Sequence, residues 1–212
     1  MFSDALPPNT RSALALLGKS DVLADAYLAG GTALALYLGH RVSVDFDFFS
    51  LKQFDFDTVR NKLESLGQYK IEKEELNTML GNFDGVSFSL FWYKFPLIGS
   101  LEEWNGIKVA SKEDIAAMKL AALSGRATKK DYVDLYFLSK EVFSFEKMFG
   151  YLEQKYAGKI NPTYYIMQAL QYFEDVEKSE EPIMIKPVSW EEVKVYLRSE
   201  TVRLAKIMGI KG

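Results

Sequence analysis

The chain has 212 residues and no cysteine. That absence excludes a disulfide scaffold, a thiolate zinc site, an iron–sulfur cluster and a cysteine nucleophile. There is one histidine, His40. A two-histidine metal site within one chain is therefore impossible, and a Ser-His-Asp relay has a single candidate. Long apolar runs are missing as well. The longest, residues 27–39, is interrupted by Gly30, Gly31 and Thr32 and is too short to span a bilayer. Residues 1–11 carry two prolines and no basic segment leading into an apolar core, so they do not read as a secretory signal. A soluble, cytoplasmic protein without membrane partners is expected. Excess positive charge is also lacking: Lys plus Arg is 26, Asp plus Glu is 29, and 26 − 29 gives a net charge of −3. Nucleic-acid binding driven by overall charge is disfavoured, while a local basic patch near Arg126, Lys129 and Lys130 stays open.

What is present is an ordinary globular mixture, 48 % hydrophobic and 26 % charged, in a chain long enough to bury a core. Period and punctuation predict helices over 11–17, 32–38 and 56–66, the last N-capped by Asp55. They predict strands over 27–29, 44–49, 69–75, 79–83, 86–93 and 107–109, with Asp84-Gly85 turning a hairpin. Beyond Ala110 the pattern becomes helical: 111–124, 128–140, 145–155, 162–173 and 189–208. Ser111/Asp114 and Thr128/Asp131 have capping-box spacing. The expected class is α+β: a mixed β-sheet flanked by helices over 1–110, followed by an α-helical domain over 111–212 that contributes to the cleft.

The most informative segment runs from Gly30 to Asp47. Gly30 and Gly31 end a strand and open an apolar helix. Glycine allows close backbone approach, and a helix N-terminus presents unpaired N–H groups and partial positive charge, which suits a phosphate. Thr32 would add a hydroxyl donor. Asp45 and Asp47 stand at i and i+2 on a strand, so their carboxylates share one face while Phe46 and Phe48 face the other way. Two adjacent acids repel unless a cation lies between them, and Mg²⁺ (or Mn²⁺) is a hard ion suited to oxygen ligands and polyphosphate.

Two blocks carry a family resemblance. Leu28-Ala29-Gly30-Gly31-Thr32-Ala33-Leu34 followed by the run from Gly39 to Phe49 is similar to the signature of the AbiEii/AbiGii toxins. These belong to the DNA polymerase beta-like nucleotidyltransferase superfamily. The run from Lys119 to Arg126, then Lys130-Asp131-Tyr132-Val133-Asp134-Leu135, resembles their second block. The resemblance implies a nucleotidyltransferase fold and metal-dependent transfer of NMP from NTP to an acceptor such as tRNA, other RNA or protein, with release of pyrophosphate. It implies a toxin of a toxin–antitoxin or phage-defence pair, with an antitoxin as partner. Residue by residue, it implies that Gly30, Gly31 and Thr32 hold phosphate and that Asp45 and Asp47 hold Mg²⁺. Lys119 and Asp131 then enter the same cleft as catalytic residues. Arg41 and Arg126 are expected on the nucleotide side, and Lys130 and Asp134 are weaker candidates.

The residues leave alternatives open. Lys119 on an apolar helix face can snorkel at an edge or reach into a cleft. Asp131 is explained by capping alone. His40 can be a hydrogen-bonded structural residue, and Arg41 can pair with the strand acids. Polymerase-like members often carry a third acid on a later strand; here Ser89 stands about there, in a strand without Asp or Glu. This puts the general base in doubt and keeps a second reading in view, a nucleotide-binding or interaction module without turnover.

Overall fold

The computed structural model describes residues 1–125, 127–157, 159 and 163–209. Contacts divide the chain into two compact units, Met1–Lys112 and Glu113–Gly212.

The first unit is built on a seven-stranded mixed sheet. Its strands are β1 (Ala26–Leu28), β2 (Asp45–Ser50), β3 (Tyr69–Glu75), β4 (Thr78–Phe83), β5 (Val86–Trp92), β6 (Glu102–Trp104) and β7 (Ile107–Val109). Their order is β3-β4-β5-β2-β1-β7-β6, which puts β2 at the centre. The β2–β5 and β1–β7 pairs are parallel and the other pairs antiparallel. Alternation sets the faces: Phe46 and Phe48 of β2 are fully buried, and Val86, Phe88 and Leu90 of β5 join them. Helices α1 (Pro8–Gly18) and α3 (Phe56–Leu66) lie against the sheet and supply Leu14, Leu17, Val59 and Leu63 to the core. Asp55 caps α3 as its spacing predicts, accepting the Thr58 amide at 2.8 Å. Helix α2 (Gly30–Leu38) is buried nearly all round and ends at Gly39, whose φ of +60° makes the left-handed cap.

Two-residue turns set the hairpins. Asp84 and Gly85 have φ of 49° and 80°, the left-handed pair that a type I′ turn requires, and they join β4 to β5 as expected. Asn105 and Gly106, at 50° and 80°, do the same for β6 and β7. Strand β6 is not anticipated above, because Glu102-Glu103-Trp104 is short and has no apolar alternation.

The second unit holds α4 (Lys112–Ala122, begun at the boundary), α5 (Lys129–Glu141), α6 (Phe145–Tyr156), α7 (Thr163–Ala169) and α8 (Trp190–Ile207). Of the helix expected over 162–173, residue 162 lies outside the described residues, and α7 ends at Ala169, before the expected end. The Tyr132 hydroxyl lies 2.9 Å from the Ala169 carbonyl and 3.0 Å from that of Tyr172, and its one hydrogen serves the carbonyls that the helix end leaves open. Around that tyrosine, Phe173 and Trp190 pack edge to face, with ring centres 5.2 and 6.0 Å from it. No helix among the described residues is long and apolar enough to cross a membrane.

Candidate active site

The site in the first unit begins where β1 ends. The chain turns through Ala29 into α2 with Gly30 at φ +64°, a conformation that glycine adopts without strain. The Ala33 amide is the first to bond back within the helix, to the Ala29 carbonyl at 3.3 Å. The amides before it have no acceptor in their own helix, so this end is suited to an anion.

The two glycines are flanked by opposite charges. A Cβ on Gly30 would stand 2.6 Å from Oδ2 of Asp47, and a Cβ on Gly31 would stand 2.2 Å from a guanidinium nitrogen of Arg41. Neither side chain could lie where it does beside any other residue. Asp45 is exposed and Asp47 half-buried, and both lie on the β2 face opposite Phe46 and Phe48. In the parallel β2–β5 register, Asp45 pairs with Ser87 and Asp47 with Ser89. Ser89 thus lies directly beside the second acid. Among the described residues there is no group of three His, Cys, Asp or Glu placed to hold a metal ion.

Thr32 is disposed differently from its sequence expectation. It is 1 % exposed, and its hydroxyl donates to the Asp45 carbonyl in a very short contact rather than pointing outward as a free donor. The reason lies in the ladder. The Ala29 amide donates to the Asp47 carbonyl (2.9 Å), but two residues earlier on β2 the neighbouring chain has already become helix. The Thr32 side chain supplies the missing donor. Arg41 is also buried; its Nη1 donates to the Val42 carbonyl at 3.1 Å and to Ser43 Oγ at 3.5 Å. His40, fully buried, sits in the same connection between α2 and β2.

The second block gathers in the second unit. Lys119 on α4 is 7 % exposed, and its Nζ lies 2.9 Å from Oδ1 of Asp131 and 2.6 Å from Oδ2 of Asp134, both on α5. The other oxygen of Asp131 accepts the amide and the hydroxyl of Thr128, each at 2.9 Å, so the residue caps α5 and pairs with lysine at once. Burial pushes the Asp131 carboxyl up, but the Lys119 charge and hydrogen bond outweigh it and hold the group below its usual range. Asp134 is fully buried, a closer partner of Lys119 than its position as a weaker candidate suggests. Lys129 and Lys130, two of the three residues of the basic patch read from the sequence, pair with Glu181 and Glu180. Arg126 lies outside the described residues.

A pocket of about 200 Å³ opens at the other end of β2, beside Ser50. Of its three acids, Asp21 and Asp25 pair with Lys62 (2.8 Å) and Lys52 (2.7 Å) and Asp55 caps α3, so each carboxylate there is already engaged.

The family described as "Nucleotidyl transferase AbiEii toxin, Type IV TA system" matches residues 13–94 and 93–194. The chain belongs to the AbiEii family. An uncharacterized protein of Aquifex aeolicus (strain VF5) is 36 % identical over 198 residues, covering 91 % of this chain and 94 % of that protein. JHP933 from Helicobacter pylori has a TM-score of 0.57 at 19 % identity, over 96 % of this chain and 95 % of its own. MenT4, a nucleotidyltransferase toxin of Mycobacterium tuberculosis H37Rv, has 0.58 at 14 % identity, over 94 % and 86 %. At those identities the two structures establish the shared fold. The AbiEii match spans both blocks described above, so the glycine turn, the strand acids and the Lys119 cluster all lie inside the family region.

Proposed function

We propose that this AbiEii-family chain transfers a nucleoside monophosphate from an NTP to an acceptor, with release of pyrophosphate, as the toxin of a toxin–antitoxin or phage-defence pair. One observation carries the reading: the open N-terminus of α2 is packed directly against the Asp47 carboxylate, with Asp45 beside it on the same strand face. An anion site and a cation site are thereby adjacent, as a metal–polyphosphate requires.

The donor set fits Mg²⁺ or Mn²⁺. Asp45 and Asp47 offer hard oxygens on one accessible face, and an ion of this kind is commonly held by one or two carboxylates plus substrate phosphates and water. When bound, the ion would neutralise developing charge on the transferred phosphoryl group. The chain's own residues do the rest. The amides of Gly30, Gly31 and Thr32 orient the phosphates, and Arg41 adds positive charge behind Gly31. Lys119 and Asp131 are the proposed catalytic pair of the second block, Asp131 setting the lysine's position through its ion pair. Arg126 is proposed on the nucleotide side. The acceptor is an RNA such as tRNA, or a protein, and the cognate partner is an antitoxin.

Ser89, beside Asp47 where an acid would be a stronger ligand or base, favours one rival: a nucleotide-binding module without turnover. Incubation with each α-labelled NTP, Mg²⁺ and total tRNA or lysate separates the two. Label in an acceptor band supports transfer; calorimetric NTP binding with no labelled product supports the module.

A further inference from the structure

The connection between α2 and β2 contains a chain of hydrogen bonds whose direction is fixed by donor count. A carbonyl only accepts, so the single hydroxyl hydrogen of Thr32 goes to the Asp45 carbonyl. The 2.8 Å contact between Thr32 Oγ1 and Ser43 Oγ must then use the Ser43 hydrogen. With its hydrogen spent, Ser43 Oγ can only accept, and Arg41 Nη1 stands at 3.5 Å to donate. The direction is Arg41 to Ser43 to Thr32 to the Asp45 backbone. Each of Arg41, Ser43 and Thr32 is at most 5 % exposed, so water does not replace a lost link freely.

We propose that Ser43 is a positioning residue for the metal–nucleotide site. It holds Thr32, through which it fixes the backbone of Asp45, and it holds Arg41 over Gly31. The inference rests on the nucleotidyltransferase reading above. Ser43 touches neither phosphate nor cation in this account; it sets where Asp45 begins the strand. The need for it follows from topology. Ladder pairing between β1 and β2 ends at Leu28↔Phe48, three residues after Asp45, and past Ala29 side chains must replace strand pairing on that edge. The amide of Ser43 donates to the Ala5 carbonyl at 3.0 Å, so the hub is anchored to the N-terminal segment as well as to α2.

The test compares wild type, Ser43→Ala, Thr32→Val, the double variant and Ser43→Thr. Calorimetry measures NTP affinity with and without Mg²⁺, and amide exchange follows residues 45–46. Ser43→Ala and Thr32→Val should each cut the ratio of the two affinities by about tenfold, the effect of displacing Asp45, the first of the two acids. The double variant should lose no more than either single one. Exchange at 45–46 should rise in all three, and Ser43→Thr, which keeps the hydroxyl, should restore both readouts. A wild-type ratio and wild-type exchange in Ser43→Ala would overturn the inference, as would losses that multiply in the double variant. Should Ser43→Ala fail to fold, Thr32→Val, which keeps the side-chain shape, carries the same test. If wild type binds no NTP under either condition, the nucleotidyltransferase reading fails, and exchange at 45–46 alone decides whether the hydrogen-bond chain holds β2.

Discussion

Oδ2 of Asp47 lies 2.6 Å from the point where a Cβ on Gly30 would stand. The acid of the central strand and the first residue of α2 are thus complementary in shape, and a side chain at position 30 would displace the carboxylate. Gly30→Ala meets two obstacles, the collision with Asp47 and a φ of +64°. A cost of at least about 1 kcal/mol in folding stability and a loss of Mg²⁺-dependent NTP binding are expected, read by denaturant unfolding and calorimetry. Gly31→Ala has no such φ penalty; it should displace only Arg41 and lower NTP affinity with a smaller change in stability.

Ser89 is the register partner of Asp47. If the protein supplies only two carboxylates, Mn²⁺ should bind weakly until nucleotide adds its phosphates. Ser89→Asp places a third acid on that face. Its Mn²⁺ affinity without nucleotide, followed by electron paramagnetic resonance, should rise by about tenfold or more, one added carboxylate being a strong ligand at such a site. An unchanged affinity would mean that the β5 position does not face the cation.

Lys155 on α6 and Asp114 on α4 form an ion pair at 2.6 Å with both side chains fully buried. The pair lies outside the proposed chemistry. Lys155→Met leaves the carboxylate buried without its ammonium and should cost about 3–5 kcal/mol of unfolding free energy in denaturant titration.

Glu146 on α6 is bound through both oxygens by Arg203 on α8, at 2.5 and 3.0 Å. That guanidinium holds its carboxyl down to about 2. The folded value lies below the unfolded one, so the stabilisation is full above the usual 4.5 and is lost as pH falls from there through about 2. The pair is partly exposed, so solvent screens its energy. In Arg203→Ala, NMR titration should return Glu146 towards 4.5.

The glycine turn and the two strand acids were readable because their signals are local: punctuation before an apolar run, then a period of two. The same locality predicted the hairpin at Asp84-Gly85 and the cap at Asp55. The three-way contact of Lys119, Asp131 and Asp134 was only half legible. Helical spacing puts the two acids on one face but says nothing of a lysine on another helix. Lys155 with Asp114, 41 positions apart, left no trace at all. Thr32 shows a different limit. Its residue type suggested a donor to phosphate, and only the end of β1 reveals that the Asp45 carbonyl needs that hydrogen more. Ser43 carried no signal of its own, since its partners are defined by the return of the chain from α2 to β2.

The central claim is that Asp45 and Asp47 support transfer of a nucleotide. Its most direct measurement is incorporation of label from α-labelled NTPs, with Mg²⁺ and total tRNA or lysate, by wild type, Asp45→Ala and Asp47→Ala of equal folded content. The account predicts a labelled acceptor with wild type, and a loss of at least about a hundredfold with either variant, as removal of a group acting on transition-state charge produces. Labelling that is the same in all three proteins would contradict it.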